Sequence, residues 1–248
     1  MISRRHVREL AFMQNCPSRV REPHPKEEIY LVTASASFEL FSVSISESLV
    51  FFEKCFPALN KLAQREKEII FKDYIMKLGL VVGSYLTQKM FGTNSKKLMS
   101  STCTCFDNDL PIEFYYPGDD GNKRLFERQF RSHTDAHINL FIPQYSRAQL
   151  TESEWHALSA LALTEHDPPI SEEAEQIIDD IKYEIFQNLQ SYYHNEMGLT
   201  DFSMRLGNLM SLNHIIQECH SQYKVLIRFY STFFEAYMTE QYMKVVQL

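Results

Sequence analysis

Glycine is scarce: seven residues in a chain of 248. With so few glycines and no regularly spaced turn dipeptides, the pattern argues against a β-sandwich or a β-barrel. No glycine-rich loop joins a strand to a helix, which argues against a doubly wound nucleotide-binding fold. No G-x-S-x-G is present, so the nucleophile elbow of serine hydrolases is missing. No run of about 18 apolar residues exists to span a membrane, and no apolar signal core follows the arginines at the start. The five cysteines, at 16, 55, 103, 105 and 219, are odd in number and do not pair into a disulfide framework, and no N-x-[ST] sequon occurs. A reducing compartment, nuclear or cytosolic, is the simplest inference. Positive charge is also short: the net charge of −7 is not that of a domain built to sit on phosphates. The exception is residues 1–28, which carry Arg4, Arg5, Arg8, Arg19, Arg21 and Lys26. They read as a basic arm with a short helix over 6–14. Such an arm serves as a nucleic-acid contact or nuclear address, or simply as a solvated leader.

What remains is helix. Residues 22–28, with Pro23 and Pro25, read as a linker into a domain over 29–248. Phe38, Phe41, Ile45, Leu49 and Phe52 recur at helical spacing over 35–55, and Pro57 ends that stretch. The next stretch, 65–90, is apolar around much of its circumference despite Gly79 and Gly83, which predicts a helix buried inside the protein. Residues 92–122 are turn chemistry, with one short strand expected over Ile112–Tyr116 inside a small hairpin or irregular excursion. Helix resumes over 123–141 and is expected to end near Pro143. Thr151-Glu-Ser-Glu154 is a capping box opening the next helix. Ser171 opens another, with Gly198 as its C′ residue. A long run follows from Asp201 toward Phe234, then a short amphipathic piece over 236–246. No internal repeat of 20–50 residues is present. The sum is nine to eleven helices around one irregular break.

Catalytic and metal chemistry is thin. His133 and His137 stand at the i, i+4 spacing of zinc proteases, but the glutamate that should follow the first is missing and no third ligand is evident. Two polar residues on a helix face account for them better than an enzyme site. Cys103 and Cys105 lack a second ligand pair and read as loop thiols. The pairs Asp119-Asp120 and Asp179-Asp180 have no electrophile or opposing carboxylate beside them.

The segment Phe52-Glu-Lys-Cys-Phe-Pro-Ala-Leu-Asn-Lys-Leu-Ala-Gln-Arg-Glu-Lys-Glu-Ile-Ile-Phe-Lys72 resembles the signature of nuclear-receptor ligand-binding domains. Phe52 takes the aromatic position, often Trp in that family. Lys54 takes the lysine, Phe56-Pro57 the apolar-Pro step, and Leu59 and Leu62 the following apolar positions. Glu66-Lys67 stands where Asp-Gln is usual, and Ile69-Ile-Phe-Lys72 matches the closing run. Leu150 to Leu163 resembles the start of the family's eighth helix. Tyr192-Tyr193 to Gly198, with Arg205 to Leu209, resembles its ninth-to-tenth helix junction. The matches run in family order over about 37–248, and the departures are closest to the divergent nematode-type members.

The resemblance implies an all-α fold, a three-layer antiparallel helical sandwich with a small mid-chain hairpin. It implies an apolar cavity for a lipophilic ligand, lined by Phe41, Ile45, Leu49, Ile75, Leu78, Leu226 and Tyr230; the alternative is a solid core. It implies a coregulator groove that grips an L-x-x-L-L-like helix of a coactivator or corepressor, with Lys54 and Lys72 on the positive side and Glu240 on the negative side. Gln241 departs from the apolar residue expected after Glu240. Pairing with a second copy or another receptor is expected through Arg205, Leu209, Leu212 and Ile216. Neither four-cysteine zinc module of a complete receptor is present. That implies either a fragment or a receptor without its own DNA reader, acting in the nucleus with no cofactor and no metal. The rival reading is a ligand-free helical interaction module.

Overall fold

In a computed structural model, the described residues are 2–16, 19–116 and 120–233. Eight α-helices lie among them: α1 (Ile2–Asn15), α2 (Ala34–Cys55), α3 (Gln64–Phe91), α4 (Asp120–Ala136), α5 (Ile142–Ala148), α6 (Glu152–Leu161), α7 (Glu172–Ser191) and α8 (Ser203–Phe233). The fold is all-α, with helices layered around α3 and a small sheet at mid-chain, as the helical periodicity led one to expect.

α3 is the centre. Apolar residues surround it from Ile70 to Leu86, so it has to be covered on all sides. It packs against α2, α5, α6, α8 and strand β3 (Lys97–Met99). Gly83 permits the last of these contacts: a Cβ there would sit 2.8 Å from the Met99 carbonyl oxygen. α2 starts at Thr33, whose side chain accepts from the Ala36 amide at 3.4 Å. The capping box at α6 is present in full. Thr151 accepts from the Glu154 amide, and Glu154 accepts from the Thr151 amide at 2.8 Å. Glu154 is fully buried and also takes the Arg205 guanidinium and, at 3.0 Å, the Tyr193 hydroxyl. Burial pushes its carboxyl up, but the hydrogen bonds from Arg205, Thr151 and Tyr193 win and hold it below the usual range. One carboxylate thereby ties α6 to α8 and to the end of α7.

The sheet has four strands in the order β1-β2-β4-β3, where β1 is Val20–Glu22, β2 is Ile29–Leu31 and β4 is Thr104–Asp107. β3 and β4 form the mid-chain antiparallel hairpin, with Met99 opposite Cys105. β2 joins it in parallel, with Leu31 opposite Cys105. Where a linker was expected over 22–28, Glu22 ends β1 and residues 23–28 are the connection of a β1–β2 hairpin. The strand expected over Ile112–Tyr116 is a 3-10 turn, Ile112–Phe114. Pro111 sets the turn, and the Tyr115 and Tyr116 amides both donate to the Ile112 carbonyl. Pro143 does not end its helix. A π-turn, His137–Phe141, precedes it, and Pro143 falls in the first turn of α5, where a missing amide costs little. A second π-turn, Tyr192–Glu196, follows α7, and Gly198 closes it at φ +65, with the Leu199 amide donating to Tyr193. The piece expected over 236–246 lies outside the described residues.

Candidate functional site

A cavity of about 110 Å³ lies between α2, α3, α4, α8 and the sheet. α2 sends Phe38, Phe41, Ser44 and Ser48 into its wall, spaced three and four apart on one helical face. α3 contributes Ile75, Met76 and Gly79. A Cβ on Gly79 would meet no atom within 4 Å, so this glycine answers no close contact and leaves open space. A mid-helix glycine costs about 0.5–1 kcal/mol relative to alanine, so the space is kept at some expense in stability. Leu226 of α8 and Phe130 of α4 add apolar wall.

Three of the expected lining residues meet here: Phe41, Ile75 and Leu226. Ile45 is half-buried and packs against the core beside the cavity. Leu49 is 39% exposed, because α2 turns that position outward. Leu78 faces a second and larger concavity, about 1020 Å³, bordered also by Phe56, Tyr74, Trp155 and Ile185. Its rim carries the exposed Glu152, His156, Glu184 and Asn188, so polar groups border it where an apolar ligand site is lined mostly by hydrophobic side chains. Tyr230 lies on α8, but its side chain is outside the described residues.

Two contributors to the smaller cavity escaped the sequence reading. One is α1, which packs along α2. Arg4 and Arg8 pair with Glu47 at 3.7 and 3.0 Å, so these two arginines of the basic arm make intramolecular ion pairs. Arg5 lines the cavity, and its Nε stands 2.5 Å from the fully buried Glu9. Glu9 also accepts from the Thr102 amide at 2.8 Å, the Thr102 hydroxyl at 2.6 Å and the Ser44 hydroxyl. Burial pushes the Glu9 carboxyl up, but the Arg5 charge and these hydrogen bonds outweigh it and hold the group ionised.

The other contributor is the histidine pair. His133 and His137 are not on a solvent face: they are 8% and 3% exposed, and both line the cavity. Phe126, Phe130, His133 and His137 recur at steps of four, three and four, so the pair continues the buried stripe of α4. That period was the signal available in the sequence. Burial drives His133 down to about 4 and His137 to about 3, the second helped by its neighbour, so both imidazoles are neutral. His133 stacks on Tyr223 at 4.9 Å.

Cys103 lies in the bend between β3 and β4, as a loop thiol was expected to, whereas Cys105 lies on β4; both are buried, and burial pushes both up to about 12, far from a reactive or metal-binding thiolate. Asp73, Asp167 and His220 do gather, with ligand atoms within 4.8 Å of one another. Lysine already neutralises that cluster: Lys77 stands 2.6 Å from Asp73, and Lys224 stands 2.6 Å from Asp167.

Lys54 is exposed in the last turn of α2, and Lys72 is half-buried on α3. Glu240 lies outside the described residues. Of the expected pairing residues, Leu209, Leu212 and Ile216 are buried in the chain's own core, and Arg205 is held by Glu154. The first three lie on the inward stripe of α8, which corrects their assignment to a surface. The outward stripe includes Met204, 81% exposed, with Asn208, Ser211 and His214.

No helix among the described residues is long and apolar enough to cross a membrane. The chain matches none of the curated proteins with which it was compared. Compared with protein families, residues 23–233 match the ligand-binding domain of nuclear hormone receptor. The match covers most of the sequence and includes α2 to α8, and the chain therefore belongs to the nuclear hormone receptor ligand-binding domain family.

Proposed function

We propose that this domain is a ligand-regulated or orphan transcriptional regulator, acting in the nucleus through protein partners rather than through chemistry of its own. The cavity walled by Phe38, Phe41, Ile75 and Leu226 carries the reading. It lies between α2, α3 and α8, so an occupant there alters how these helices pack. α2 runs from that cavity to Lys54 at its exposed end. A lysine there suits the carbonyls at the C-terminus of a short helix laid in a groove. The family resemblance assigns Lys72 to the same side and Glu240 to the other end of that partner helix. Pairing with a second receptor would use the outward stripe of α8 around Met204 and Asn208.

Fluorescence titration with a labelled peptide containing an L-x-x-L-L core tests the groove. Lys54→Ala should weaken binding about fivefold, the effect of one lost contact of about 1 kcal/mol. Lys54 is exposed, so its loss leaves the core untouched. Equal affinity of the two proteins would remove the charge grip.

A further inference from the structure

α1 forms the outer wall of the cavity at its polar end. Its inward residues, Arg5, Glu9 and Met13, recur every fourth position and are buried, while Arg4, Val7, Arg8 and Ala11 on its other side are exposed. Arg5 lines the space together with Ser44, Ser48 and Ser101, and these serines are buried as well. Glu9 rests on Ser44 and on Thr102, the residue after Ser101. On this side one helix stands between the cavity and solvent. Residues 2–15 precede the matched stretch 23–233, so the family match assigns α1 no part.

The seam beneath α1 is mostly polar. A surface helix ordinarily buries three or four apolar residues in two turns. α1 buries one fully, Met13, which packs with Tyr30, Val32, Leu40 and Cys103 in a cluster separate from the main core. Leu10 and Phe12 are half-buried. The rest of the hold converges on one carboxylate: Glu9 takes the Arg5 guanidinium, the Ser44 hydroxyl, and the amide and hydroxyl of Thr102. The pairs of Arg4 and Arg8 with Glu47 each have an exposed partner, and pairs of that kind contribute little. A segment with few buried apolar contacts opens by itself, at less cost than unfolding the whole domain. α3, on the far side of the same cavity, is buried from Ile70 to Leu86 and has no such freedom.

We propose that α1 is the door of the cavity and Glu9 its latch: a small lipophile enters and leaves when α1 swings off Ser44 and Thr102 and withdraws Arg5 from the wall. This rests on the ligand-cavity reading above and adds the route and its control. The closed form dominates, so loosening the latch makes opening more frequent and leaves the affinity of the closed cavity as it was.

Benzene is the probe, since an apolar cavity of about 150 Å³ takes it and this space is about 110 Å³. NMR line shapes of benzene with the whole chain give its rates of entry and escape, and hydrogen exchange reads the opening of α1. Glu9→Gln keeps the size of the side chain and removes its charge. It should speed entry and escape together by about tenfold and keep the dissociation constant within about twofold. Amide exchange should quicken in α1 and not in α3. Thr102→Val removes one of the donors to Glu9 and should give a smaller acceleration of the same kind, which decides the matter if Glu9→Gln does not fold. Ile178→Val is a destabilising change on α7, which sends no residue into the cavity wall, and it should leave the rates unchanged. Unchanged benzene rates in the latch variants, with α1 amides exchanging faster, would overturn the door and give the cavity another entrance. Equal acceleration by Ile178→Val would also overturn it, since entry would then follow unfolding of the whole domain. No benzene binding by the native chain would overturn the cavity reading itself, and the door with it.

Discussion

Replacing Asp73 with alanine should cost the fold about 3–5 kcal/mol, the loss expected when one partner of a buried ion pair is removed. Asp73 and Lys77 face each other one turn apart on α3, 2.6 Å apart, and neither reaches solvent. The Lys77 ammonium also donates to the Glu165 carbonyl beyond α6. Without the aspartate, a charge remains in the core with one neutral acceptor. A small domain has about 5–15 kcal/mol in all, so the loss is about a fifth of it or more. Urea midpoints measure it. The double variant Asp73→Leu/Lys77→Met should recover most of the stability, since two apolar groups of similar volume can replace a buried pair at little cost. A loss under about 1 kcal/mol in Asp73→Ala would mean that the pair contributes little.

Mild acid should destabilise the protein well before its carboxylates titrate. Burial holds His133, His137 and His220 at about 4, 3 and 4 in the folded state, against about 6.5 unfolded. The folded values are the depressed ones, so between about pH 6.5 and 4 the unfolded chain binds more protons than the folded one. Stability is therefore complete above pH 6.5 and falls as the pH drops through that window. Each buried histidine contributes up to about 1.4 kcal/mol per pH unit. Three of them give a slope of up to about 4 kcal/mol per unit near pH 5. Melting temperatures at fixed ionic strength between pH 7.5 and 4.5 measure it, and His137→Phe should flatten the slope by about a third. A flat profile down to pH 5 would show that these imidazoles reach water.

The helices were legible because their apolar residues repeat at steps of three and four. The periods through Phe38 and Phe41, and through Ile177, Ile178 and Ile181, are local signals. So is the Thr151–Glu154 capping box, whose partners are three residues apart. The sheet was half legible. The β3–β4 hairpin announces itself by turn chemistry, but β2 is stabilised by pairing with residues more than seventy positions away, and no local pattern carries that. The same limit hid Arg5 and Glu9, whose anchor is the Thr102 amide 93 residues on. It also hid which side of α2 faces the cavity: Phe41 and Leu49 share one periodic pattern, yet only Phe41 reaches the space. Leu209, Leu212 and Ile216 were placed on a surface by family analogy, although their own apolar spacing on α8 marks them as core. His133 and His137 were legible as a pair but not as a pole of the cavity, since i, i+4 spacing fixes a shared face without saying what that face meets.

The central claim is that the core holds a space for a small apolar ligand and is not solid. Xenon enters dry cavities of this kind, so diffraction from crystals under xenon pressure tests it most directly. The account predicts xenon between Phe41, Ile75 and Leu226, and its loss in Gly79→Leu, whose side chain would grow into the open space beside α3. Native crystals with no xenon at that position would contradict it, leaving a helical domain with a filled core.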